Sequence, residues 1–294
     1  MLSRLSANPW WFLAGWVLVS SLLFGKPLFA LAEYGLANDN ASHVLMIPLI
    51  VAWLLYLDHK KVQHTSFHIA PAAVLAVCAG LIAVTTHYYL SGNHALPFLV
   101  FSVVCLWLAG FLAVFGVPPL RSVWFDLAFL VFLIPIPDRF LDRVVYFLQA
   151  GSADMAGFVF DLTDVPALRE GFVFRLPRLS IEVAPECSGI RSSIALFILA
   201  LLVCHFSFSK FWKKVVFLMA GLLMMIVKNG VRIATLAILA NYVNPAFLYG
   251  RLHRQGGVVF FLLGLSLLIP VYWVLRRGEK TLALHPNEVS TSTL

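Results

Sequence analysis

KKVVFLMAGLLMMIVKNGVRIATLAILANY, residues 213–242, decides the fold. After the paired lysines its only strongly polar side chains before Asn241 are Lys228, Asn229 and Arg232. A bilayer core about 30 Å thick needs about 20 helical residues, and this run exceeds that length. It therefore reads as a helix that crosses a membrane and carries an arginine near one end. Working outward, seven further apolar runs lie near 10–31, 42–57, 69–90, 95–115, 122–137, 189–208 and 256–275. The whole chain agrees with them. Of its 294 residues, 61% are hydrophobic and 12% charged, with a mean hydropathy of +0.90. A soluble domain carries about 25% charged residues. The fold class expected is an all-α polytopic membrane protein of about eight transmembrane helices. Residues 1–275 form a single integral membrane domain and 276–294 a disordered cytoplasmic tail. Residues 10–32 loosely imitate a signal peptide, but Lys26 and Pro27 interrupt the approach to the small residues Ala30 and Ala32, which favours a retained first helix.

The net charge of +7 belongs to the membrane rather than to nucleic acid. Alternate junctions hold Arg4, Lys60, Lys61, Arg121, Lys210, Lys213, Lys214, Arg276, Arg277 and Lys280, whereas the junctions at 25–41 and 88–95 hold only Lys26. By the positive-inside rule both termini are cytoplasmic and the long 138–188 segment lies outside. Within that segment, 139–162 places apolar residues at helical spacing around Asp142, Arg143 and Gln149, which predicts an amphipathic periplasmic helix in the interface. GFVFRLPRLSIEVAPE, residues 171–186, then switches to a period of two, with Phe172, Phe174 and Leu176 before Pro177 and Leu179, Ile181 and Val183 after it. That pattern predicts a short β-hairpin, which leads into the sixth helix.

The hairpin delivers PECSGIRSS, residues 185–193. Cys187 stands just ahead of a helix N-terminus, whose partial positive charge favours a thiolate; Glu186 beside it opposes that effect. Cys78, Cys105 and Cys204 lie inside apolar runs, where a thiol behaves as a small hydrophobe. The four cysteines show no metal-like spacing with histidine, so no metal site, cofactor or disulfide framework is expected. Depth arithmetic adds two partners for Cys187. Arg232 lies about 27 Å along a helix from Lys214, and both Cys187 and His253 lie about 34 Å from the basic residues that end their own helices. Three chemically capable side chains thus share one outer level. An arginine inside an apolar run costs at least about 2.5 kcal/mol, which favours a polar interior or a site. Arg191 and Asn229 are supporting candidates one helical turn from Cys187 and Arg232, and Ser42 with His43 stands at the outer start of the second span.

ECSGIRS around Cys187, NGVRI around Arg232 and LHRQGG around His253, on three successive helix boundaries, resemble the exosortase/archaeosortase family of membrane cysteine transpeptidases. ASHVLMIP, FLIPIP and the LQxxSAxxA pattern at 148–156 echo it, and together these motifs cover roughly residues 40–265. The resemblance implies that Cys187 is the nucleophile, with Arg232 and His253 as its catalytic partners; some relatives hold arginine at the third position. It implies partners that carry a C-terminal sorting signal, made of a short motif such as Pro-Glu-Pro, a transmembrane helix and a basic cluster. It also implies an inner-membrane protease or transpeptidase that works through a thioester and faces the periplasm. Two readings of other classes compete: a transporter or lipid-handling protein holding an anion with Arg232 and Lys228, and a non-catalytic scaffold of an export or polysaccharide assembly. Against the transporter, the spans lack paired acids and show no inverted repeat.

Overall fold

A computed structural model describes residues 8–62, 69–248, 250 and 257–277. Each of the eight apolar runs is built mainly of helix. Among the described residues six helical segments are long and apolar enough to cross a membrane: Asn40–Leu57, Ile69–Tyr89, Leu96–Phe115, Pro185–Ser207, Phe211–Tyr242 and Gly257–Arg276. The other two runs depart from simple spans for identifiable reasons. The first forms α1 (Pro9–Leu23) and α2 (Gly25–Ala37), which meet at an angle of 82°. Pro27 has no N–H to continue the hydrogen-bond ladder of α1, so the helix restarts in a new direction. Counted as one bent span, the pair brings the total to seven. The fifth run is held to the short apolar helix Trp124–Leu133, because Pro118 and Pro119 precede it and Pro135 and Pro137 follow it. The tail from residue 278 onward lies outside the described residues.

Packing separates two compact units, Met1–Leu141 and Asp142–Leu294. In the first, α3 (Ile47–Leu57), α4 (Ile69–Tyr89) and α5 (Leu96–Phe115) are followed by the short helices α6 (Val117–Ser122) and α7 (Trp124–Ala128). The buried centre is one face of α5, with Val100, Val103, Phe111 and Phe115 at or below 1% exposure. Trp16 bolts α1 to that helix: its indole Nε1 donates to the Leu106 carbonyl at 2.7 Å. Gly110 leaves the space its ring fills.

The second unit contains most of α8 (Asp138–Leu162), then β1 (Leu168–Glu170), β2 (Val173–Arg175), β3 (Ser180–Glu182), α9 (Ile190–Ser207), α10 (Phe211–Tyr242) and α11 (Gly257–Arg276). The hairpin expected over 172–183 is present: Leu176 N–H donates to Leu179 O at 2.8 Å and Val183 N–H to Phe172 O at 2.9 Å. A third strand, β1, joins it to make an antiparallel sheet in the order β1-β2-β3. Gly171, at φ +63°, makes the tight connection between β1 and β2.

The amphipathic helix is also present as α8. Its buried face, with Leu148, Gln149, Ser152, Ala153, Ala156 and Phe160, packs on protein within this unit. Ala153, Ala156 and Phe160 join Phe174, Leu176 and Val183 of the sheet region and Ala234 and Ala237 of α10 in one core. Small residues set the spacing. A Cβ at Gly230 would stand 2.9 Å from the Ser152 carbonyl oxygen, so only glycine lets α8 and α10 approach this closely. At the other end of α10, Lys213 is 5% exposed and donates to the Leu275 carbonyl at 2.6 Å, satisfying an orphan acceptor in the last turn of α11.

Candidate functional site

Cys187 sits in a single 3-10 turn, Pro185–Ser188, between β3 and α9. Its own N–H closes that turn onto the Ala184 carbonyl at 2.8 Å. Pro185 opens the turn and Gly189 ends it, with φ +72° in the left-handed region. α9 begins immediately after, and its N-cap residue, Gly189, has no side chain with which to cap it. Glycine is required at 189 for two independent reasons. The backbone conformation disfavours a side chain, and a Cβ would stand 2.7 Å from Asn229 Oδ1.

That contact shows how the loop is held. Asn229, 1% exposed in α10, uses its amide nitrogen twice: it donates to the Cys187 carbonyl at 2.7 Å and to Ser152 Oγ of α8 at 3.0 Å. The two N–H groups of one amide thus tie the cysteine's backbone to both long helices beneath it. On the sheet side, Gln149 Nε2 donates to the Val183 carbonyl at 2.5 Å. The turn that carries the thiol is anchored at both ends by buried donors.

Cys187 and Arg232 line the same cavity of about 60 Å³, together with Glu182, Val183, Leu236 and Leu248. Both residues are half-buried. A water needs about 10–15 Å³ of such space, so the cavity is sized for a few small polar groups, such as a peptide carbonyl and its neighbours. The thiol supplies a nucleophile, and the guanidinium supplies fixed positive charge with up to five N–H donors. Mostly apolar walls strengthen the attraction between that fixed charge and a developing anion.

The other sequence candidates distribute as follows. His253 lies outside the described residues. Arg191 is exposed in the first turn of α9. Ser42 and His43 belong to the 3-10 segment Asp39–Leu45 of the first unit. Cys105 and Cys204 are buried, whereas Cys78 is exposed on α4. Ser152, Gln149 and Gly189 escaped the sequence reading as individual site residues. The signal for the first two was present in the LQxxSAxxA pattern, whose glutamine and serine are those anchoring side chains.

These features define a polytopic membrane protein in which a cysteine just ahead of one helix and an arginine within the next share a small, largely apolar cavity. The chain belongs to the transmembrane exosortase family, whose model matches residues 35–270. No curated protein and no solved structure matches it. Family and helices together make it a membrane protein with an exosortase-type role.

Proposed function

We propose that the chain is a membrane cysteine protease or transpeptidase that removes the C-terminal sorting signal of exported proteins. The observation that carries this reading is the shared cavity of Cys187 and Arg232, on a loop whose backbone Asn229 fixes. The Cys187 thiolate attacks the peptide carbonyl beside the sorting motif, and the carbonyl oxygen becomes an oxyanion. Arg232 remains protonated throughout, so it cannot act as a base; it stabilises the developing negative charge. Collapse of the tetrahedral adduct leaves a thioester on Cys187 and expels the C-terminal transmembrane segment as a free amine. His253 takes the thiol proton and returns it to that amine. Attack on the thioester by an amine completes transpeptidation, and attack by water completes hydrolysis.

The proposed setting is the bacterial inner membrane, with both termini cytoplasmic and the cavity open toward the periplasm. The excess of basic residues at alternate junctions supports it. Reporter fusions after Lys61 and Lys214 then read cytoplasmic and one at Arg169 reads periplasmic; a cytoplasmic signal at Arg169 contradicts the orientation. The function itself is tested by co-expression with a protein bearing a motif, a transmembrane helix and a basic cluster at its C-terminus. Loss of that tail in cells containing this chain, and its retention in cells without it, is the expected result. Retention in both contradicts the proposal for that substrate class. Binding or transport of a small anion without cleavage would favour the transporter reading.

A further inference from the structure

Lys228 is 2% exposed in the middle of α10. Its ammonium donates to Ser192 Oγ of α9 at 2.6 Å, and among the described residues no carboxylate forms an ion pair with it. An ammonium buried in a membrane helix is costly, and an unbranched apolar side chain of similar length would fill the space without that cost. Gly264 of α11 makes room for the lysine stem, since a Cβ there would stand 3.2 Å from Lys228 Cδ. The charge is therefore accommodated by three helices.

The Ser192 hydroxyl has one hydrogen, and it goes to the Gly189 carbonyl at 3.1 Å. The chain of donors thus runs from Lys228 through Ser192 to Gly189. Its neighbour in sequence, Asn229, donates to the Cys187 carbonyl. Two consecutive residues of α10 thus reach the loop: Asn229 binds the Cys187 carbonyl directly, while Lys228, through Ser192, reinforces the Gly189 carbonyl, which also accepts the Ser193 N–H at 3.0 Å where α9 begins. A hydroxyl polarised by an ammonium is a stronger donor than a neutral one, which suits it to hold a left-handed turn that must not relax.

We propose that Lys228, acting through Ser192, is a positioning residue that holds the Cys187 loop in its reactive geometry. The inference rests on Cys187 being the reacting group, so its test reads the thiol directly as well as the turnover. The experiment uses the full chain in membranes and follows alkylation of Cys187 by iodoacetamide, quantified on the peptide that contains it. Thermal unfolding is recorded alongside. Lys228→Met and Ser192→Ala each change the Cys187 alkylation rate by about tenfold or more. The double variant changes it no further than the more severe single variant, because both act through one chain of hydrogen bonds. Ser192→Thr, which keeps the hydroxyl, restores the wild-type rate.

A merely structural role predicts a lowered unfolding temperature with alkylation unchanged, or additive effects of the two substitutions; either result overturns the proposal. If Lys228→Met does not accumulate, the pair Ser192→Ala and Ser192→Thr decides the question alone. Non-additive changes in thiol reactivity, in a chain that cleaves no sorting signal, would uphold the positioning role while refuting the proposed function.

Discussion

Cys187→Ala abolishes removal of the sorting signal at unchanged protein abundance. Among the described residues that line the cavity, Cys187 is the only thiol or hydroxyl; Ser188 and Ser193, near it in sequence, are buried, and a hydroxyl needs a stronger base than a thiol does. Deleting the nucleophile of a hydrolase typically costs about six orders of magnitude in turnover, which puts the variant below detection. Cys187→Ser is expected to fail nearly as completely, since its geometry is kept but its ionisation is not. Cys78→Ala is the matched control, because that thiol is exposed on α4 in the first unit. Immunoblots of both substrate and enzyme, at matched expression, check the result; processing by Cys187→Ala excludes this thiol as the nucleophile.

Arg232→Lys has the second-largest effect. Lysine preserves the charge but presents a point donor in place of a planar fork, and it cannot hold both lobes of an oxyanion. Removing one well-aimed donor from such a site costs about two to three orders of magnitude in turnover. The loss falls on the chemical step, so substrate still associates with the enzyme and can be captured with it. Pull-down of uncleaved substrate by the Arg232→Lys chain, together with its residual cleavage rate, separates the two contributions. Cleavage within about threefold of wild type would show that Arg232 contributes charge alone.

Much of this architecture is legible in the sequence because lipid imposes simple rules. Runs of about 20 apolar residues announce helices, and the switch to a period of two between Phe172 and Val183 announces the hairpin. Length arithmetic along α9 and α10 puts Cys187 and Arg232 at one level, and the two line one cavity. What depth cannot give is azimuth. The pairing of Lys228 with Ser192 depends on how α9 and α10 are rotated about their axes, which hydropathy does not encode; close contacts such as Gly189 against Asn229 and Gly264 against Lys228 accompany it. The bend at Phe24 is only partly marked, since Gly25, Lys26 and Pro27 interrupt the apolar run there but do not give the angle of the restart. β1 has three exposed residues and no alternation; it exists because β2 offers a free edge. Lys213 reads as one more cytoplasmic charge, yet it is buried and spends its ammonium on the end of α11.

A thioester between Cys187 and the substrate is the intermediate that distinguishes this chemistry, and it can be trapped. Membranes holding the full chain and a tail-bearing substrate are treated with hydroxylamine, which cleaves thioesters by attack at the acyl carbon. Mass spectrometry then reads the new C-terminus of the substrate. The expected product is a hydroxamate at the cleavage site, formed by the wild-type chain and absent with Cys187→Ala. A free carboxylate as the sole product, formed equally with and without hydroxylamine and equally by Cys187→Ala, would contradict it.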